Sequence, residues 1–183
     1  MKGRILLAGV GGQGVLFATR VLARCATDAG LPTMGSETHG MAQRGGSVVS
    51  HLLIGSYRSS LVRTGTADWL LSFEATETYR HLPFLRPEGR CFVNASGRDF
   101  PDPVVAAALA ARGITVRTVD ASGLAAGVGA PLAANLVLLG FIAAADPDGF
   151  GLDTLKTTVT AISPQKHLPN NLKALVAGAE AWK

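Results

Sequence analysis

The residues best suited to chemistry lie in one polar segment, GSETHGMAQRGGS, at positions 35–47. It places a carboxylate, an imidazole and a guanidinium close together, on Glu37, His39 and Arg44. An imidazole can donate, accept or titrate near neutral pH, and a guanidinium can hold a carboxylate or phosphate through two parallel hydrogen bonds. The catalytic residues stay unassigned, with these three as candidates. The segment is predicted to bind a ligand or partner, and the alternative is a solvated surface loop.

A second candidate is the glycine-rich turn GVGGQG at residues 9–14, between an apolar run and an amphipathic one. The pattern G-x-G-x-x-G lets the backbone approach a pyrophosphate beside free N–H groups at a helix N-terminus. In a nucleotide site, Glu37 would be the acidic residue on the ribose. The alternative is that the glycines only allow a tight turn. The predicted cofactor-binding residues are Gly9, Gly11, Gly12, Gln13, Gly14, Arg44, Gly45 and Gly46.

These segments need a framework, and the pattern at the N-terminal end predicts strand, glycine loop and helix. An apolar strand over 4–8 precedes the glycine turn, and a helix with one apolar face follows over about 15–29. A second strand is predicted over 31–35, with 37–46 as a loop. Residues 47–54 are rich in β-formers, and Gly55-Ser56 predicts a turn back into 57–63, which together would form an antiparallel hairpin.

Strand and helix patterns alternate in the rest of the chain. The predicted strands are 69–73, 90–95 and 114–119, and the predicted helices are 74–82, about 103–112, 131–145, 153–162 and 170–182. Such alternation favours an α/β fold whose sheet is mostly parallel. We therefore predict one three-layer domain over 1–183, with a Rossmann-like N-terminal unit and a sheet made mixed by the hairpin.

Composition excludes disorder and indicates a compact chain with few charges for its surface. Hydrophobic residues make up 48% of the 183 and charged residues 16%, against roughly 25% charged in an ordinary domain. Disordered chains combine low hydrophobicity with high charge. The net charge of +4 is too small to favour nucleic-acid binding. A free monomer of this size would normally carry a larger fraction of charged residues.

The two cysteines, Cys25 and Cys91, lie outside any C-x-x-C pattern, so the sequence predicts no zinc site or iron–sulfur cluster held by this chain alone. Both are predicted to be buried thiols, which fits a reducing cytoplasm. The N-terminal residues lack the pattern of a signal peptide. The apolar helix over 131–145 is shorter than the roughly 20 residues that span a bilayer. We expect a cytoplasmic protein with no membrane or nucleic-acid partner.

Three further polar residues have mainly structural interpretations. His51 is expected to be an exposed or hydrogen-bonded residue of the sheet, and Asn135 a helix residue with a hydrogen-bond partner. Glu74 ends a predicted strand, where it could contact a ligand or place a favourable charge at a helix N-terminus.

Together, GVGGQGV and SETHGMAQRGGSVVS resemble the small subunit of the 2-oxoacid:ferredoxin oxidoreductases. HGMAQRGG is most similar to the indolepyruvate:ferredoxin oxidoreductase beta subunit. GTADWLLSFE and AANLVLLG also match the family, as do residues 85–94 and 169–178, so the resemblance covers essentially the whole chain. The fold it implies is an α/β domain docked on a large partner chain.

The resemblance implies that this chain is one part of an enzyme and is inactive alone. The large partner would carry thiamine diphosphate, magnesium and iron–sulfur clusters, none of them held by this chain alone. The reaction would be oxidative decarboxylation of an aryl 2-oxoacid to an acyl-CoA, with coenzyme A as cosubstrate and electrons passed to ferredoxin. Arg44 would contact an anion, and Glu37 and His39 would be positioning groups.

Two other functions stay open at the level of the sequence. A free-standing NAD- or FAD-binding oxidoreductase would use the glycine turn, with Glu37 on the ribose. A non-catalytic binding module would use the polar segment for docking only. The identity of the 2-oxoacid is also open, because phenylpyruvate, branched-chain acids and 2-oxoglutarate are related substrates.

Overall fold

Six strands form one mixed sheet in this computed structural model, which describes residues 2–39, 45–97 and 100–182. The strands are β1 Gly3–Val10, β2 Thr33–His39, β3 Ser47–Ile54, β4 Ala67–Ser72, β5 Leu85–Asn94 and β6 Thr115–Val119. Their order is β2-β3-β1-β4-β5-β6. Only β3 runs against its neighbours, pairing antiparallel with β1 and β2, while β1–β4, β4–β5 and β5–β6 are parallel. The predicted mostly parallel, mixed sheet is confirmed.

Helices cover both faces of this sheet. They are α1 Val15–Asp28, α2 Ala75–His81, α3 Pro103–Ala111, α4 Ala121–Gly127, α5 Ala134–Ala145, α6 Pro147–Phe150, α7 Leu152–Ile162 and α8 Leu168–Glu180. Side chains of a strand alternate between faces, and those of β1 divide accordingly. Ile5 and Leu7 join a core with α1, α5, α7 and α8. Leu6 and Ala8 join a smaller core with α3 and the region around α2. The predicted three-layer arrangement follows from this division.

Several predicted elements are observed with small shifts at their ends. Helix α1 matches the helix predicted over 15–29, and α3 begins as expected, because the Asp102 side chain accepts from the Val104 N–H at 2.9 Å. The helix α4 was missed. Strand β5 begins before the strand predicted over 90–95, and within its first half Glu88 has a φ of 62° and the pairing register with β4 shifts.

The predicted hairpin over 47–63 is wrong in its second strand. Residues 57–63 form no strand, and the observed hairpin instead joins β2 to β3. Strand β3 is already paired on both sides, by β1 and β2, so it has no free edge to offer the residues that follow it. The predicted loop over 37–46 is also too long, because Glu37 and His39 belong to β2.

A last property of the helices concerns membranes. In the part of the chain that the structure describes, no helix is by itself long and apolar enough to cross a bilayer. The segments Pro131–Ala145 and Pro147–Ile162, bent by 115° relative to each other, meet the criteria together, by length and composition only.

Candidate functional site

The two segments singled out in the sequence meet at one edge of the sheet. Strands β1, β4 and β5 end at this edge, and the antiparallel β3 begins there, with Ser47 opposite Val10. The glycine turn follows β1 directly, and the connection from β2 leads into Ser47. Ligands of α/β proteins bind in the crevice outside the carboxyl ends of the strands. The single reversed strand therefore brings both segments to the edge where binding is expected.

The glycine turn contacts the end of the polar segment through the backbone. The Gly11 N–H donates to the Gly46 carbonyl oxygen at 2.9 Å. Gly12 and Gly14 have φ values of 98° and 75°, a left-handed conformation that glycine adopts without strain. The tight-turn role of these glycines is thus observed directly.

Gln13 folds back over the glycine turn and links it to the next strand. Its Oε1 accepts from the Val10 N–H at 2.9 Å, and its Nε2 donates to Glu74 Oε2 at 2.9 Å. A Cβ on Gly9 would lie 2.8 Å from Gln13 Oε1, so the folded side chain needs glycine at that position. Glu74 lies where β4 leads into α2, and its carboxylate is used by the turn in this structure.

Asn135 supports the turn from the helical side. Its Nδ2 donates to the Gly14 carbonyl oxygen at 3.1 Å, and its amide occupies the space that a Cβ on Gly14 would need. The expected hydrogen-bond partner of this buried residue is confirmed. His51 is hydrogen-bonded as expected, since its Nδ1 accepts from the Val62 N–H at 3.1 Å, but it is buried and not exposed.

A buried carboxylate lies behind the start of β3. Ser47 Oγ donates to Glu77 Oε2 at 2.6 Å, and the Glu77 residue is 6% exposed. Arg80 Nε and His81 Nε2 lie 3.5 and 3.7 Å from its oxygens. Burial lowers the pKa of His81, the neighbouring Arg80 lowers it further, and the Glu77 carboxylate opposes both effects.

Sequence reasoning missed Glu77 as part of the site, and it assigned no role to Ser47 within the polar segment. The sequence feature that could have indicated Glu77 is its position three residues after Glu74, which itself follows the end of a predicted strand. That signal becomes specific only when the direction of β3 is known, because only the antiparallel arrangement places Ser47 beside α2.

Asn94 extends the same edge to β5 and α4. Its Nδ2 donates to the Phe73 carbonyl oxygen at 3.1 Å and to Ser122 Oγ at 2.9 Å. Its Oδ1 accepts from the Ser122 N–H at 3.2 Å. The side-chain amides of Gln13 and Asn94 therefore connect the carboxyl ends of β1, β4 and β5 to one another.

The predicted catalytic candidates are only partly described. Glu37 is exposed on β2 opposite Ser50, and Ser50 in turn lies opposite Leu7 of β1. Two strand spacings therefore separate Glu37 from β1, about 10 Å, and Glu37 is not placed at the glycine turn as ribose binding would need. The backbone of His39 lies opposite Val48, while Arg44 falls outside the described residues.

Two cavities flank this framework. One of about 360 Å³ adjoins the glycine turn and has a mainly apolar lining that includes Gly14, Phe17 and Leu132. Another, of about 350 Å³, lies at the opposite edge of the sheet near Trp69 and Arg90. Within the described ranges, no three His, Cys, Asp or Glu residues group as a metal site.

Comparisons with known proteins agree with this architecture. The family model described as pyruvate ferredoxin/flavodoxin oxidoreductase matches residues 4–181. Indolepyruvate oxidoreductase subunit IorB of Archaeoglobus fulgidus is 36% identical, over 97% of this chain and 94% of that protein.

Solved structures share the fold at lower sequence identity. Pyruvate oxidoreductase subunit PORC of Thermotoga maritima has a TM-score of 0.75 and 22% identity, covering 98% of this chain and 97% of that one. The 2-oxoglutarate:ferredoxin oxidoreductase of Magnetococcus marinus, solved with 2-oxoglutarate, coenzyme A and succinyl-CoA, has a TM-score of 0.76 and 21% identity. It matches 98% of this chain and 31% of its own, so there the domain is one part of a longer polypeptide.

Proposed function

The chain belongs to the pyruvate ferredoxin/flavodoxin oxidoreductase family, as a small subunit of a 2-oxoacid:ferredoxin oxidoreductase, and we propose that its complex oxidises indolepyruvate or another aryl pyruvate. The observation that carries the substrate is the 36% identity to an indolepyruvate oxidoreductase subunit over nearly the full length of both chains.

The proposed reaction converts the 2-oxoacid anion and coenzyme A into an acyl-CoA, carbon dioxide and one proton, with two electrons passed to ferredoxin. Thiamine diphosphate, bound with magnesium in the partner chain, would supply the chemistry that breaks the bond to the carboxylate, and iron–sulfur clusters there would carry the electrons. This chain would be inactive without that partner.

The two cysteines of this chain support the assignment of the clusters to the partner. Cys25 belongs to the core on one face of the sheet and Cys91 to the core on the other. Their thiols therefore cannot reach one cluster together. Burial also raises the pKa of both, which disfavours the thiolate that a metal needs.

The contribution of this chain would be to bind and orient at the carboxyl edge of the sheet. We propose that the glycine turn and the segment 37–46 face the partner near the thiamine or the path of coenzyme A. Arg44 would hold an anionic group there, with Glu37 and His39 as positioning groups. The contact from Gly11 to Gly46 and the apolar cavity beside Gly14 support such a surface.

The first test is reconstitution. The chain is co-expressed with its large partner, and ferredoxin reduction is followed with coenzyme A and indolepyruvate, phenylpyruvate, 2-oxoisovalerate or 2-oxoglutarate. We expect activity only in the complex, with kcat/KM highest for an aryl pyruvate. A preference for 2-oxoglutarate or a branched-chain acid would contradict the substrate. Activity of the isolated chain with NAD would contradict the assignment as a subunit.

The second test addresses Arg44 in the reconstituted complex. Arg44→Ala should raise the KM for coenzyme A or the 2-oxoacid about ten- to hundredfold, because one charge-assisted contact is worth about 1.5–3 kcal/mol, or it should prevent assembly. The matched control is Arg24→Ala, which removes an exposed arginine paired with Asp28 on α1. Equal kinetics and assembly for both variants would refute the role of Arg44.

A further inference from the structure

The helix α2 lies between the two segments of the site. It starts directly after β4, at the carboxyl edge, with Glu74 as the extended residue that precedes the helix and Glu77 in its first turn. Each of the two carboxylates accepts a hydrogen bond from a different segment of the site, Glu74 from Gln13 and Glu77 from Ser47.

Glu74 holds the glycine turn through Gln13. The Gln13 amide is oriented at both ends, since its oxygen accepts from the Val10 N–H and its nitrogen donates to Glu74. A hydrogen bond to a charged acceptor is stronger than one between neutral groups. The Val10 N–H and Glu74 together therefore orient the amide, and the amide connects the glycine turn to the start of α2.

Glu77 holds the start of β3 through Ser47, at an O–O distance of 2.6 Å. Burying a carboxylate is costly unless it is paired, and the nearest cation, Arg80, is a largely exposed side chain 3.5 Å away. One short hydrogen bond from a serine offsets only part of the desolvation cost of the buried Glu77 carboxylate, so Glu77 is not explained by stability alone. Its position suggests a role in fixing where β3 begins.

The two contacts close a ring. From Glu74 the ring passes through Gln13 to the glycine turn, then from Gly11 to Gly46 by the backbone hydrogen bond, and from Ser47 to Glu77. Helix α2 completes it. Displacing any member would release the spacing between the glycine turn and the end of the polar segment.

We propose that Glu74 and Glu77 are positioning residues of the oxidoreductase, which hold the glycine turn and the start of β3 in one fixed relation through α2. The expected effect of these residues on catalysis rests on the proposed function. The ring of hydrogen bonds does not, because all of its members belong to this chain.

The first readout is amide hydrogen exchange at Gly11 in the isolated chain, because the Gly11 N–H donates across the ring. Ser47→Ala should lower the protection of this amide about tenfold, while Ser47→Thr, which keeps the hydroxyl, should retain it. Glu77→Gln and Glu74→Ala should lower it as well. The control Asp28→Asn, which removes an exposed carboxylate paired with Arg24, should leave it unchanged.

The second readout is kcat/KM in the reconstituted complex. Ser47→Ala should lower it about tenfold, and Ser47→Thr should restore it to within twofold of wild type at similar thermal stability. Wild-type protection and kcat/KM in Ser47→Ala would overturn the proposal. So would an equal loss of kcat/KM in Ser47→Ala and Ser47→Thr. If no 2-oxoacid is oxidised by the wild-type complex, the proposed function fails, and Gly11 exchange still decides whether the ring exists.

Discussion

At the residue scale, the two thiols show how burial decides reactivity. Cys25 Sγ lies 3.1 Å from Thr158 Oγ1 inside the larger core, and Cys91 is fully buried in the smaller one. Both were predicted as buried core residues, and this is confirmed. Burial disfavours the charged thiolate, which is the reactive form.

We expect both thiols of the native chain to resist a thiol reagent at pH 8. Because burial raises the pKa of Cys25 and of Cys91, fewer than one thiol per chain should react within the time that modifies a free cysteine fully. Unfolding in urea should expose both. Counting modified thiols by mass spectrometry checks this, and fast labelling of the native chain would contradict it.

Some site residues could be predicted from their sequence neighbours, whereas the roles of others depend on contacts that only the folded sheet creates. The glycine turn could be predicted from spacing, because positive φ values at Gly12 and Gly14 are a local requirement. The roles of Ser47 and Glu77 could not be predicted, because their contact joins residues that only the sheet brings together. Asn135 was predicted to have a partner, but that partner, Gly14, is also a tertiary contact.

At the element scale, helices α5 and α8 approach each other closely. Gly140 and Gly178 lie where each helix meets the backbone of the other, against the carbonyl groups of Leu175 and Val137. The sequence predicted both helices from their apolar patterns. It gave no indication that a glycine on each was needed for the close approach, because that depends on how the helices cross.

Substitution of these glycines tests the close approach. Gly140→Ala and Gly178→Ala should each reduce the free energy of unfolding by about 3 kcal/mol, the upper end for overpacking, because backbone must move. The control Gly127→Ala has open space around its Cβ and should be neutral or stabilising by up to about 1 kcal/mol. Urea unfolding measures all three. Similar values for the control and the other variants would contradict the packing argument.

The hairpin illustrates a limit at the same scale. The β-rich pattern of β3 was recognised correctly, but a period of two does not say which strand is the partner. The turn predicted at Gly55-Ser56 indicated residues 57–63 as the partner strand. The sheet instead pairs β3 with β1 and β2, and Glu37, predicted in a loop, became a strand residue.

At the scale of the whole molecule, we expect stability to depend on pH through two neighbouring histidines, the buried His51 and the partly buried His81. Burial lowers the pKa of His51, and the nearby His81 contributes to the same effect. Burial also lowers the pKa of His81 itself, as described above. Both therefore bind protons more weakly in the folded chain than in the unfolded chain, where the ordinary value is 6.5.

Stability should consequently be independent of these histidines above about pH 7 and fall as the pH drops below 6.5, because the unfolded chain then binds more protons. Denaturant unfolding between pH 5.5 and 7.5 measures the slope. His51→Gln should flatten it, whereas His167→Gln, at an exposed position, should not. A slope that is unchanged in His51→Gln would contradict the assignment.

The reversed direction of β3 also has a consequence for the order of folding. Strands β2 and β3 are close in sequence and can pair early, whereas β1 pairs with β3 and β4 across much longer stretches of the chain. Strand β1 lies between the hairpin and the parallel half of the sheet, so its docking joins two parts that can form separately. We therefore expect mutations in β1 to slow refolding more than equally destabilising mutations in β6, which is visible in stopped-flow refolding rates.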